Sequence, residues 1–273
     1  MHNLRLIPIN CADAAILSAT SAVLPVENLQ AAGRTNVWRA AGTSAVLSVS
    51  FPAPATIDSV AVMTSNLTPD AFWRIRFLGD VGQTLYDSTS ILACPPKDIS
   101  EVDWGYEPLG VNAFAFGVAA QSIHWLPNRF VASAVQIEID NPTNPAGYIE
   151  ASRLIIGAGW SPEANISLGC IFFWEERGLQ KRAGDGFLRS EAGAKFRKIG
   201  FGLEWLSEGD RKFFAEMAFR LGTSKDFLVS VYPDAGYFRA EHYCCVAKFV
   251  RAPGIARHSN WFFSSNSIEI EEV

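Results

Sequence analysis

The stretch Gly147–Ile166, GYIEASRLIIGAGWSPEANI, decides how the chain of 273 residues divides. Tyr148-Ile149-Glu150-Ala151 is short and half apolar, and Arg153-Leu154-Ile155-Ile156-Gly157 is a β-branched run that stops at glycine. Trp160 supplies an aromatic plug, and Ser161-Pro162 breaks regular structure. The sequence predicts here the last strand of a domain at residues 1–160 and the entry to a second at 161–273. Charge shifts at the same place: residues 1–160 carry 8 Lys+Arg against 13 Asp+Glu, and residues 161–273 carry 15 of each.

Toward the N-terminus the pattern is one of short strands. Asn3–Ile9 alternates, Ala45–Phe51 is a good strand, and Pro52-Ala53-Pro54-Ala55 is expected to end it before another at Ile57–Met63. Phe72-Trp73-Arg74-Ile75-Arg76-Phe77-Leu78 alternates, setting Phe72, Arg74 and Arg76 against Trp73, Ile75 and Phe77. Residues 88–130 show few clear periods, Phe130–Ile139 is a long strand, and Tyr148–Gly157 returns after a turn. Many short strands separated by turn signals, with no long helix before Trp160, predict a β-sandwich or jelly roll.

The residues of this half carry a resemblance. Pro25…Asn28-Leu29, Trp38-Arg39, Ile57…Val60-Ala61-Val62, Asn66-Leu67 and Trp73-Arg74-Ile75-Arg76 resemble the galactose-binding-like (discoidin-like) fold. Val135–Ile139 and Tyr148–Gly157 resemble its closing strands. The combination is also similar to domains in tail and baseplate proteins of long-tailed bacterial viruses, over roughly residues 20–160.

Beyond Trp160, Ile171-Phe172-Phe173-Trp174 is strongly apolar. Arg177–Lys198 is basic and rich in glycine, and reads as two strand ends joined by a mobile loop. Ile199, Phe201, Leu203 and Trp205 alternate as a strand with one buried face. Ser207 opens a helix, with Asp210 in capping-box position. Phe213, Phe214, Met217, Ala218 and Leu221 then give its apolar face, and Gly222 stops it. Further strands are expected at Phe227–Tyr232, His242–Val250 and Trp261–Ile270. Strands, one helix, then strands resemble the tail-tube-like fold of long-tailed phages, a β-sandwich or split barrel flanked by a helix. The resemblance implies a ring of such domains and a long loop reaching a neighbour, for which Lys181, Arg182, Arg189 and Lys195 are the candidate intersubunit residues.

Composition bounds the function. With 49% apolar and 19% charged residues the chain builds cores, and a net charge of -5 argues against wholesale wrapping of nucleic acid. Cys11, Cys94, Cys170, Cys244 and Cys245 are odd in number, with one vicinal pair and no CxxC, so a reducing site of folding is expected. MHNLRLIPIN does not read as a signal peptide, and no apolar run approaches the ~20 residues that span a bilayer, so synthesis in a cytoplasm is expected.

Catalytic, cofactor and metal motifs are not found. His2, His124, His242 and His258 never fall at helical ligand spacing, and His242 near Cys244-Cys245 does not make a zinc pattern. Asp98, Glu101, Asp103 and Glu107 surround Trp104 and Tyr106. Paired carboxylates beside aromatics are the raw material of a glycosidase, but a calcium-binding or solvated loop is the plainer reading of them. Trp104, Tyr106, His124 and Trp125 are the candidates for contact with a glycan or a partner; filling a core or an intersubunit contact is the plainer use of such rings.

These readings converge on an expectation: a non-enzymatic, mainly β virion protein of a phage tail tip or baseplate, assembled in the host cytoplasm without cofactors. The resemblance implies self-association in a ring, a hexamer favoured over a trimer, beside tube, tape-measure and hub proteins. A carbohydrate-binding module contacting host surface glycan is the alternative, and a glycan-active enzyme using Asp103 or Glu107 is a third reading.

Overall fold

The computed structural model describes residues 3–100, 102–106, 108–111, 119–233, 243–257 and 263–273. The protein is mainly β, and the strand pairs within each of its two units are antiparallel. It forms two compact units: Arg5–Trp160, and Ser161–Pro233 together with the closing strands of the chain.

The first unit contains β1 (Arg5–Ile7), β2 (Ile16–Ala19), β3 (Trp38–Arg39), β4 (Ser44–Ser65) and β5 (Phe72–Leu78). It continues through β6 (Thr84–Asp87), β7 (Ile91–Leu92), β8 (Ala120–Asp140) and β9 (Glu150–Gly157). The main sheet runs β3-β9-β4-β8-β5-β6, with β2 added on β4 and β7 on β5.

Two very long strands make a sandwich out of this one sheet. The first part of β4 pairs with the last part of β8 and with β2, while its second part pairs with β9 and the start of β8. Register shifts separate the parts, so each long strand bends and serves both layers. Leu47, Val49, Ile137, Ile75 and Phe77 from one layer share a core with Val60, Val62, Leu154 and Ile156 from the other.

The expected break at Pro52 and Pro54 does not occur, because β4 continues through both. Ladder pairing with β8 lapses between Ser50 and Ala55, where the missing proline N–H groups leave no bond unmade. The regular structure before Trp160 also includes two short 3-10 turns, Cys11–Ala14 and Val26–Gln30.

The motif residues of the first unit serve as its fasteners. Trp38 is fully buried and donates its indole N–H to the Ser21 carbonyl at 3.2 Å. Arg39 pairs with Glu150 at 2.5 Å and lies over the Tyr148 ring. The Asn66 side chain extends the sheet by donating to the Tyr148 carbonyl (2.9 Å) and accepting from the Glu150 N–H (2.8 Å). Gly157 is required by close approach: a Cβ there would meet the Ile9 carbonyl oxygen at 2.4 Å. Buried Trp160 exchanges backbone hydrogen bonds with Leu6.

The second unit contains β10 (Ile171–Glu176), β11 (Leu179–Arg182), β12 (Leu188–Glu191), β13 (Lys195–Leu203) and α1 (Glu208–Leu221). Then follow β14 (Phe227–Ser230), β15 (Cys244–Phe249), β16 (Ala256–Arg257) and β17 (Phe263–Glu272). Within this unit the sheet runs β14-β15-β17-β13-β10, and β16 pairs with β17. Ile199, Phe201, Leu203, Phe227, Phe249, Ile268 and Ile270 are buried.

Ser207 caps α1 by accepting from the Asp210 N–H at 3.1 Å. Asp210 itself is buried and accepts from the Glu163 N–H at 3.0 Å, so it fastens the entry segment to the helix. Phe214, Met217 and Leu221 are the buried apolar residues of α1; Phe213 and Ala218 are half-buried. Gly222 ends the helix at φ 53°, a conformation that suits glycine.

Candidate functional site

The turn that carries Trp104 and Tyr106 is built from local chemistry. Tyr106 N–H bonds the Asp103 carbonyl at 3.1 Å, and Gly105 adopts φ +90° between the two rings. Buried Val102 anchors the turn. Trp104 is 69% exposed and Tyr106 91% exposed, so neither ring fills the sandwich core. Just upstream, the Asp98 carboxylate accepts the Ser100 N–H (2.9 Å) and hydroxyl (2.7 Å), which lowers its pKa from the ordinary value. Glu101 and Glu107 lie outside the described residues, and so does His242.

His124 and Trp125 are neighbours on β8, so alternation sends their side chains to opposite faces of the sheet. His124 stacks on Tyr86, shares a 2.6 Å hydrogen bond with its hydroxyl, and meets the edge of Trp73. Trp125 lies instead under the Arg5 guanidinium, 5.0 Å from the ring centroid. The pair therefore does not form one flat stacking platform.

Burial lowers the His124 pKa from its ordinary value of 6.5. The folded protein thus keeps His124 neutral where the unfolded chain takes up a proton. Stability should be constant above the ordinary value and fall as pH drops below it, until the lowered folded value is passed. Thermal melts from about pH 7.5 to about pH 5 should show a smaller loss in His124→Gln than in the parent chain. Equal losses would remove His124 from the account.

In the second unit, Lys181, Arg182 and Arg189 sit on a two-stranded ribbon in place of the expected mobile loop. β11 pairs with β12 from Leu179↔Glu191 to Arg182↔Leu188, and the tip is closed by Ala183 and Phe187 with Gly186 at φ +83°. The ribbon continues the β10–β13 pair, in which Glu176 lies opposite Lys195, 3.7 Å from its ammonium. Between the two pairs, Gly178 and Gly193 let the strands approach closely: a Cβ on Gly193 would meet the Arg177 carbonyl at 2.0 Å. Every residue of β11 and β12 is exposed. Lys181 stands opposite Arg189, a like-charged cross-strand pair, and Arg182 bonds the Gly186 carbonyl at 2.8 Å.

All five cysteines are free. Burial pushes the Cys94 thiol up to about 11 and Cys244 up to about 12, so both are poor nucleophiles at neutral pH. Among the described residues no group of three His, Cys, Asp or Glu is placed to hold a metal. No helix among them is long and apolar enough to cross a membrane.

One concavity was not singled out by the sequence pattern. It lies on the outer face of the first unit where β4, β8 and β5 run side by side, has a volume of about 520 Å³, and is lined by Phe72, Arg74, Thr89, Glu138 and Asp140 among others. The alternation of β5 was visible, but the neighbours that β8 brings beside it depend on sheet register.

No family model matches the chain, and no curated protein matches it. Solved structures similar to part of it include the lectin domain of lectinolysin complexed with Lewis B antigen. That similarity has 10% identity, covers 54% of this chain and 95% of that one, and has a TM-score of 0.37. The family 32 CBM from C. perfringens NanJ in complex with galactose is 12% identical, over 56% of this chain and 98% of that one, with a TM-score of 0.38. Chitosan-binding module 1 from a chitosanase/glucanase of Paenibacillus sp. IK-5 is 12% identical, over 55% and 99%, with a TM-score of 0.38.

Proposed function

We propose that this protein is a non-catalytic structural component of a phage tail tip or baseplate, and that it self-associates in a ring through residues 161–273. In this reading a hexamer is favoured over a trimer, and the first unit attaches further tail components or host-surface ligands.

The observation that supports the self-association is the β11–β12 ribbon. The ribbon extends beyond the β10–β13 pair as two strands only, carries exposed Leu179, Phe187 and Leu188, and opposes Lys181 to Arg189. Its apolar side chains gain by burial, and its paired cations gain from an acidic surface, only when another protein surface covers the ribbon.

The test is the mass in solution, by light scattering across concentration and salt, of the parent chain and of a variant in which residues 180–190 are replaced by a short turn. The parent is expected to form a closed oligomer that salt weakens, and the shortened variant to remain monomeric. An unchanged oligomer in the variant would remove the ribbon from assembly. A strict monomer in the parent would put the second reading first.

That second reading is recognition of a host glycan by the first unit, favoured by the exposure of Trp104 and Tyr106 on one turn. Large rings held in water have apolar faces free to stack on a sugar.

A further inference from the structure

We propose that the concavity on the outer face of β4, β8 and β5 is a binding site for an uncharged, hydroxyl-rich ligand of about disaccharide size. This rests on the reading that the first unit recognises a glycan, but it puts the contact on the sheet face as an alternative to the Trp104–Tyr106 turn.

Register assembles the site. Phe72 on β5 lies beside Asp140 on β8, which lies beside Ser44 on β4; one step along, Arg74 lies beside Glu138. The alternation that buries Trp73, Ile75 and Phe77 turns Phe72 and Arg74 outward. Phe72 is 42% exposed and, with half-buried Val46, supplies the apolar part of a lining that also holds Arg74, Glu138 and Asp140. A pyranose presents one apolar C–H face and a rim of hydroxyls, which matches one aromatic ring set among acceptors and donors.

The polar wall is held in place before any ligand arrives. Arg74 grips Asp87 with two hydrogen bonds, at 2.9 and 2.5 Å, and Arg76 pairs with Glu138. The bond from Arg74 holds the Asp87 carboxyl down at about 2, so the clamp persists through neutral and mildly acidic pH. Asp87 also accepts the Thr89 N–H at 2.9 Å, and Thr89, a β-branched residue, is held at φ 57°. That conformation is costly for such a residue, and it stands where Thr89 and Ser90 form one side of the concavity.

Size and charge narrow the ligand. About 520 Å³ falls within the range of small-molecule sites. Arg74 is paired with Asp87 and Arg76 with Glu138, so Asp140 leaves the lining with an excess of one negative charge, which disfavours an anionic ligand. Carboxylates are good acceptors for hydroxyl pairs, which an uncharged saccharide supplies.

The test is ligand-observed NMR on the full chain with lactose, maltose and diacetylchitobiose as neutral probes and sialyllactose as the anionic control. At least one neutral probe is expected to bind, with sialyllactose no tighter than lactose. Phe72→Ala and Glu138→Gln should each weaken binding by about tenfold, with melting temperatures near the parent's. Binding should respond less to Trp104→Ala/Tyr106→Ala, which tests the turn as the competing site, than to Phe72→Ala. If the turn variant loses binding and Phe72→Ala does not, glycan recognition stands and this site falls. Failure of every neutral probe, or tighter binding of sialyllactose, also overturns the site and leaves the ring reading to its own mass measurement.

Discussion

Replacing Arg197 by alanine should destabilise the second unit by about 3–5 kcal/mol, because it leaves a buried carboxylate without its partner. Arg197 and Glu272 are almost wholly buried and paired with each other. Arg197 also donates to the Cys244 carbonyl at 2.9 Å and lies near the Trp174 ring, so one side chain on β13 reaches β17, β15 and β10. Burial alone would lower its pKa; the hydrogen bond to Glu272 more than reverses this, and the guanidinium stays charged. The measurement is hydrogen exchange: protection should be lost first along β13, β15 and β17. A paired apolar replacement, Arg197→Met with Glu272→Leu, should cost far less than the single change, since it removes both desolvated charges together. Equal damage from the single and double variants would show that packing, and not the ion pair, holds these strands.

Trp38→Ala should cost the first unit about 3–5 kcal/mol. The ring is fully buried in the sandwich core, and its N–H satisfies the Ser21 carbonyl. Truncation opens a cavity and orphans that carbonyl, two penalties that add. For a unit of this size the melting temperature should fall by roughly 10 °C. Trp38→Phe keeps most of the apolar volume and should cost less, and a loss as large as that of alanine would assign the effect to the hydrogen bond. Trp38 was singled out from sequence by family pattern, and its role proves to be packing.

Strands were legible wherever one face is buried and the other wet, as in Phe72–Leu78, because alternation then appears in the residues themselves. The first half of β8 was not, since Gln121 and Ser122 are buried polar residues and Pro127 interrupts the run. The sequence of β4 suggests two strands because a proline signals a break only where its N–H would have been used, and here it is not. The sequence of the ribbon reads as a mobile loop for a related reason: with every residue of β11 and β12 exposed, nothing imposes a period on it. Trp104 and Tyr106 could be named from sequence, but their exposure could not. The concavity was legible by half: Phe72 and Arg74 were set on one face, whereas Glu138 and Asp140 come from a strand more than sixty positions away and arrive by register alone.

The two bent strands also set the order of events at the ribosome. Ser44 finds its partner Asp140 roughly a hundred residues later, so the sandwich depends on closing very long loops. While synthesis proceeds, β4 emerges with β2 alone available beside its first part. The rest of its ladder groups wait for β8 and then β9. The first unit should therefore fold late and all at once, in the time scale of slow non-local β proteins, and its nascent chain is the stage at which aggregation competes hardest with folding.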